Sequence, residues 1–216
     1  MAFEGQLMWA AAWIWIGAVF DFFDGFSARW LKQYSDIGKQ LDSLADIITF
    51  GVLPSSMLFV YLQHQTEHPL LPFIAFLITV FSALRLAKFN IDERQTDEFI
   101  GLPTPASAIF ISSLPLVESY HSAVFNAISN EYALLTVIVL LCILMVSELP
   151  MLSLKFKGWG WNNNKLRFLF IITSVVFLMT FQTFGIPIII ILYVFLSFFK
   201  WISRKAEHKN SQPADD

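Results

Sequence analysis

The chain has little charge and almost no cysteine. Only 14% of its 216 residues are charged, whereas an average soluble domain has about 25%. The formal net charge is −3, so no basic field indicates nucleic-acid binding. The single cysteine, Cys142, cannot form an internal disulfide, and the apolar run around it predicts a small buried side chain.

Apolar residues dominate instead. They make up 56% of the chain, with 23 Phe and 7 Trp, which excludes disorder and disfavours a soluble enzyme. A membrane-spanning helix needs about 20 mostly apolar residues. Seven segments qualify: 7–29, 41–62, 70–88, 103–121, 132–150, 167–183 and 185–201. The predicted fold is therefore an all-α, polytopic membrane bundle. It forms a single domain over 1–204, followed by a polar cytoplasmic tail over 205–216.

The basic residues predict the orientation. With seven spans, all 14 Lys and Arg residues fall on one side of the membrane or at its boundary. The positive-inside rule makes that side cytoplasmic. The same count places residue 1 on the opposite side, so either the first span inserts by itself or a further helix precedes it.

Four acids lie at the basic side of the first two predicted spans: Asp21, Asp24, Asp42 and Asp46. A charge at the middle of a membrane helix costs about 2.5–3.5 kcal/mol on insertion scales, so such a set indicates function. Clustered carboxylates repel one another unless a cation neutralises them. Hard oxygen ligands select Mg²⁺, Mn²⁺ or Ca²⁺, and the acids therefore predict a divalent-metal site.

Helical spacing predicts that these acids meet. The residues of a first stripe lie within about 100° of one another around a helix: Asp21, Asp24, Gly25 and Ala28. Those of a second stripe recur every four residues: Gly38, Asp42 and Asp46. The short connection over 30–37 makes the two helices antiparallel neighbours, so their carboxylates face one cleft. Gly25 and Ala28 leave room either for a substrate group or for close helix packing.

The full spacing is D-x₂-D-G-x₂-A-R-x₈-G-x₃-D-x₃-D, with eight fixed identities over the 26 positions from Asp21 to Asp46. It resembles the motif of the CDP-alcohol phosphatidyltransferases, which displace CMP from a CDP-linked lipid with an alcohol. The resemblance implies a helical membrane enzyme that is a homodimer. It implies two divalent ions, Mg²⁺ or Mn²⁺, at a site open to the cytoplasm. It also implies a further N-terminal segment before 7–29, which would give eight spans.

The resemblance also implies residue roles. By position, Asp21, Asp24 and Asp42 would be metal ligands. Asp46 would be a ligand to the second ion, the general base for the incoming hydroxyl, or both. The cytidine diphosphate would bind at Asp21, Gly25, Ala28, Arg29 and Gly38. Arg29 would contact its phosphate, and Gly38 would keep the helices close.

Two flanking stretches, 41–59 and 84–108, are similar to bacterial members of this family that use serine as the acceptor. The resemblance therefore implies transfer of a phosphatidyl group from CDP-diacylglycerol to the hydroxyl of L-serine, giving phosphatidylserine and CMP at a bacterial inner membrane. Charge matching predicts that Arg85 or Lys88 holds the serine carboxylate. The ammonium would lie at Asn90 or at an acid, Asp92 or Glu93.

Two alternatives stay open. The first is the same chemistry with glycerol 3-phosphate or an inositol phosphate as acceptor, which the cations Arg85, Lys88 and Arg94 do not exclude. The second is a divalent-cation transporter that uses the acids as a permeation site. Transport needs polar groups on both halves of the membrane, and clustering of the acids on one side disfavours it.

Overall fold

The described part of the chain is mostly helical. The structure, a computed structural model, describes residues 1–31, 35–92, 99–153 and 161–210. Within those ranges the helices are α1 (Leu7–Leu31), α2 (Asp36–Asp46), α3 (Leu53–Gln65), α4 (Leu77–Ile91), α5 (Thr104–Ser112), α6 (Leu114–Tyr120), α7 (Ser122–Ile128), α8 (Glu131–Val146), α9 (Trp161–Phe181) and α10 (Gly185–Asn210). A π-helical stretch, Ile47–Val52, joins α2 to α3, and 3₁₀ stretches precede α4 and α10. The all-α prediction is confirmed.

All seven predicted spans lie largely in helices. Four stretches are long and apolar enough to cross a bilayer: Leu7–Ser27, Ile37–Gln65, Leu71–Ile91 and Asn164–Lys205. The fourth stretch has 42 residues and contains two predicted spans. The chain turns at Gln182, whose φ is 51°, and α10 packs back on α9. The other two predicted spans correspond to α5 with α6 and to the shorter apolar helix α8.

The second span begins earlier than hydropathy predicts. The prediction started at residue 41, whereas α2 starts at Asp36, because its first turns are polar and hydropathy alone does not register them. Ser35 caps this helix, and its Oγ accepts a hydrogen bond from the Gly38 amide at 3.0 Å. The helix then continues through the π-helical stretch and α3 to Gln65.

The structure also differs from the prediction between α4 and α9. The predicted loop after α6 contains a short helix, α7. The predicted span over 103–121 is divided at Ser113, because Pro115 lies in the first turn of α6 and has no amide hydrogen to donate. Within the predicted span over 132–150 the helix ends at Val146. In the extended segment that follows, the Leu149 carbonyl accepts a hydrogen bond from the Gly101 amide (2.9 Å).

Apolar side chains fill the interior and also cover the outside. Large residues from α1, α3, α4, α5 and α8 are fully buried: Ile14, Met57, Ile78, Ile111 and Ile138. Cys142 is buried and free, as predicted. Large apolar side chains on the outer faces are exposed, including Trp13 and Phe20 on α1. A bundle that is apolar both inside and outside fits a lipid environment.

The two ends of the bundle differ in charge. At one end Lys39 Nζ donates to the Asn90 carbonyl (3.1 Å), and Lys88 forms an ion pair with Glu148. These contacts connect α2, α4 and the segment after α8. We call this the basic end, and the opposite end, which carries His64, His68 and Gln182, the far end.

Candidate active site

The four acids of the motif lie on α1 and α2 at the basic end. Asp21 and Asp24 are in the second half of α1, and Asp42 and Asp46 are in α2. Carboxylate oxygens of Asp21, Asp24 and Asp42 all lie within 4.8 Å of one another. Asp21 is half-buried and the other two are exposed, so the cluster is open on one side. The structure thus brings together three of the four predicted metal ligands.

Asp46 adjoins this cluster from the end of α2. Its half-buried side chain interacts electrostatically with Asp21, Asp24, Asp42 and Arg85. Like charges gathered in this way repel one another unless a proton or a cation neutralises them. Asp46 therefore joins the acid cluster to the buried cation Arg85.

The donor set fits a divalent metal ion. Every group in the cluster is a carboxylate, which supplies the hard oxygen ligands that Mg²⁺ and Mn²⁺ prefer. Four acids face one buried guanidinium, so the charge of these five groups together is negative. A divalent cation would neutralise that charge.

Gly17 sets the distance between the two acid-bearing segments. A Cβ at Gly17 would overlap the Thr49 side chain, so α1 and the π-helical stretch touch at this point. Gly17 precedes Asp21 by one helical turn, and Thr49 follows Asp46 by three residues. The acid cluster therefore rests directly on a close helix contact. Sequence reasoning missed this glycine because it lies outside the motif.

The small residues of the motif have different surroundings. Gly25 is half-buried on α1. A Cβ at Gly38 would lie 2.9 Å from Ser35 Oγ, so Gly38 leaves space for the cap of α2. Among the described residues, no atom of α1 lies within 4 Å of a Cβ placed at Gly38. The close helix contact that was predicted for Gly38 is made by Gly17 instead. Ala28 and Arg29 belong to α1, but their side chains lie outside the described part of the chain.

Arg85 is the buried cation beside the site. It lies on α4 and is 6% exposed. Its guanidinium interacts electrostatically with Asp46 and Tyr193 and lies 5.5 Å from the ring centroid of Phe89. Within the described residues its Nε has no hydrogen-bond partner. Tyr193, from α10, is 7% exposed, and nothing in the sequence signalled its proximity to the acids.

The other residues predicted to bind the acceptor lie farther out. Lys88 forms an exposed ion pair with Glu148. Asn90 Nδ2 donates to Ser43 Oγ at 2.9 Å, which connects α4 to α2. Asp92 follows α4 and is partnered. Glu93 and Arg94 lie outside the described residues. Of Arg85, Lys88 and Asn90, only Arg85 shows an interaction with the acid cluster in the described part of the chain.

An apolar groove runs along the outside of the same helices. It has a volume of about 540 Å³ and lies between α1 and the segment from Ile48 to Ser56. Phe20 and Ile48 line it. Phe20 directly precedes Asp21 in the chain, and Ile48 follows Asp46 by two residues. Trp13 and Ile16 line it one to two turns farther along α1. The groove therefore starts beside the acids.

The family follows from a comparison of the whole chain with known families. The model of the CDP-alcohol phosphatidyltransferases matches residues 1–146, which is more than half of the chain. The chain belongs to this family. The matched region contains the acid motif, Arg85 and α5, so the site described above lies in the family's own domain.

Curated relatives cover much of the chain. A CDP-diacylglycerol–serine O-phosphatidyltransferase of Helicobacter pylori is 32% identical over 196 residues, covering 89% of this chain and 79% of the relative. The enzyme of the same name from Bacillus subtilis is 42% identical over 100 residues, covering 44% of this chain and 54% of the relative. An archaetidylserine synthase of Methanothermobacter thermautotrophicus is 29% identical over 143 residues, covering 65% and 58%. The names of these phosphatidyltransferase-family relatives share serine as the acceptor.

Proposed function

We propose that the protein transfers a phosphatidyl group from CDP-diacylglycerol to the hydroxyl of L-serine. The serine Oγ forms a bond to the phosphorus of the phosphatidyl group, and the bond from that phosphorus to CMP breaks. The products are phosphatidylserine and CMP. The observation that carries the proposal is the meeting of Asp21, Asp24 and Asp42 in a chain whose relatives are serine enzymes.

The acids would hold divalent ions. Asp21, Asp24 and Asp42 would bind the first ion, and Asp46 is the candidate ligand of the second ion. Bound Mg²⁺ or Mn²⁺ supplies positive charge to the pyrophosphate and to the leaving phosphate. Because the cluster is open on one side, the substrate's pyrophosphate can approach it from outside the bundle.

Asp46 takes the proton from the serine hydroxyl in this proposal. It lies between the other acids and Arg85, so an acceptor held near Arg85 presents its hydroxyl towards Asp46. Arg85 contacts the acceptor. Lys88 and Asn90 hold α4 against neighbouring segments, and direct contact of either with the acceptor stays a prediction.

The nucleotide would lie along α1. Asp21, Gly25, Ala28 and Arg29 share this helix, and Gly38 lies in the first turn of α2. The diacylglycerol tail would leave the site along the apolar groove, because the groove starts beside Phe20 and Ile48. This arrangement keeps the charged head at the basic end and the acyl chains in lipid.

The proposal extends to membrane orientation and assembly. The basic end would face the cytoplasm of a bacterium, with the bundle in its inner membrane, because positive residues remain on the cytoplasmic side. The enzyme would act as a homodimer, as the family resemblance implies.

The test uses purified protein in detergent with CDP-diacylglycerol and Mn²⁺ or Mg²⁺. Incorporation of labelled acceptor into lipid is measured with serine, glycerol 3-phosphate or an inositol phosphate. We expect incorporation of serine alone and its loss with a chelator. Incorporation of another acceptor would retain the transfer chemistry and overturn the serine assignment. Mn²⁺ uptake across vesicles without any transfer would instead support the transporter alternative.

A further inference from the structure

Two buried hydroxyls on α5 lack the hydrogen bond that most described serines of the bundle make. Serines within the helices bond mostly to carbonyls of their own helix, as Ser55 does to Gly51 (2.7 Å) and Ser112 does to Ile109 (3.0 Å). Thr104 and Ser107 are both fully buried, and within the described chain their hydroxyl oxygens have no hydrogen-bond partner. A buried hydroxyl without a partner costs about 1–3 kcal/mol, so these two groups indicate a missing polar ligand.

Both hydroxyls lie at the start of α5. The N-cap residue is Pro103, and no side chain caps this nine-residue helix. Thr104 and Ser107 are three residues apart and share one face. The Ala106 and Ser107 amides donate to the Pro103 carbonyl (3.0 and 3.2 Å), and Pro105 has no amide hydrogen. The positive end of the helix dipole still favours an anion at this position.

Arg85 lies at the same depth as this helix start. On α4, Ser82 Oγ contacts Met145 Sδ (3.6 Å) and Lys88 pairs with Glu148, so Arg85 is level with the end of α8. The segment before α5 is bonded to the same part of the chain, since the Leu102 amide donates to the Leu144 carbonyl at 2.9 Å.

The elements that carry these groups pack against one another. Helix α5 contacts α4, the π-helical stretch and α10. Tyr193 of α10 is buried and interacts with Arg85. Arg85 itself is more than nine-tenths buried, and its Nε is unpartnered in the described structure. Three unpartnered buried groups of the described structure therefore lie at a similar depth at the basic end.

We propose that Thr104, Ser107 and the uncapped start of α5 form, with Arg85 and Tyr193, a buried pocket for the carboxylate of the amino-acid acceptor. The hydroxyls donate to its oxygens, Arg85 supplies the charge, and Tyr193 closes the pocket from α10. Thr104 and Ser107 are then specificity-determining residues. This inference rests on the proposed transfer to serine and explains how an acceptor without a carboxylate is rejected.

The test compares Thr104→Val and Ser107→Ala with Ser112→Ala. Ser112 is a matched control, because it is a fully buried serine on the same helix whose hydroxyl bonds within the helix. Serine-dependent CMP release gives the KM for serine and for CDP-diacylglycerol separately. The second acceptor is serine methyl ester, which keeps the hydroxyl and the ammonium and lacks the carboxylate.

We expect each pocket variant to raise the KM for serine about 10- to 100-fold, as loss of a hydrogen bond to a charged group does. The KM for CDP-diacylglycerol stays unchanged, and the wild-type preference for serine over its ester falls by a similar factor. Ser112→Ala keeps wild-type values. Thermal unfolding of each variant checks that it is folded. If Thr104→Val does not fold, the test is decided by Ser107→Ala alone.

Three outcomes would refute the pocket, and they differ in what they say about the proposed function. If wild type uses serine and both pocket variants behave like Ser112→Ala, the pocket is refuted and the proposed function stands. If the variants weaken serine and its ester equally, the hydroxyls do not bind the carboxylate and the inference is again refuted. If wild type transfers only to glycerol 3-phosphate, the serine assignment fails, and a carboxylate pocket fails with it.

Discussion

Neutralising one acid of the cluster should have opposite effects on stability with and without metal. The test variant is Asp42→Asn, which keeps the shape of the side chain and removes its charge. Carboxylate oxygens of Asp21, Asp24 and Asp42 lie within 4.8 Å of one another. At that distance two unit charges repel by about 0.9 kcal/mol in water and by about 3.5 kcal/mol at an effective dielectric constant of 20.

The exposure of the cluster selects the lower part of that range. Asp24 and Asp42 are exposed, so solvent screens their interaction. Asp42→Asn removes two of the three pairs, and we expect the metal-free protein to gain about 2 kcal/mol in free energy of unfolding. With Mn²⁺ the order reverses, because wild type gains binding free energy that the variant loses with its ligand.

The assay is thermal unfolding of wild type and Asp42→Asn in detergent, with a chelator and with saturating Mn²⁺. Glu131→Gln is the control, since Glu131 is an acid in the first turn of α8 and lies outside the cluster. The reasoning is refuted if Mn²⁺ stabilises Asp42→Asn as much as wild type, or if the variant is no more stable than wild type in chelator.

Three further predictions concern the scaffold around the site. Gly17→Leu forces a side chain against Thr49 and should cost about 1–3 kcal/mol of unfolding free energy and most of the activity. A melting temperature equal to that of wild type would contradict the close contact. Gly101→Ala should cost about 1–3 kcal/mol, because Gly101 has φ +77° and its Cβ would meet the Met145 carbonyl, and denaturant unfolding measures this. Lys88→Met removes an exposed ion pair and should cost less than about 1 kcal/mol of unfolding free energy. The KM for serine tests the predicted contact of Lys88 with the acceptor: a rise of about tenfold or more assigns Lys88 to the acceptor, and an unchanged KM contradicts that contact.

The sequence predicted the helices and the meeting of the acids because both depend on local periodicity. Asp21 and Asp24 share a face of α1, and the short connection to α2 forces Asp42 to lie opposite. The polar first turns of α2 escaped the prediction, because hydropathy registers the lipid-facing part of a helix and not its capped start at Ser35.

Long-range packing could not be predicted from these patterns. The contact of Gly17 with Thr49 depends on how α1 crosses the π-helical stretch, and no motif marks it. Tyr193 is over a hundred residues from Arg85 in the chain, and only the packing of α10 brings the two together.

The most direct test of the account is serine-dependent CMP release by Asp46→Asn, measured beside wild type and Glu131→Gln with CDP-diacylglycerol and Mn²⁺. We expect Asp46→Asn to lower kcat by about 10²- to 10⁴-fold, as loss of a general base does, while Glu131→Gln keeps wild-type rates. A rate for Asp46→Asn within a factor of about three of wild type would fall far outside that range and would show that the acid cluster does not carry the transfer to serine.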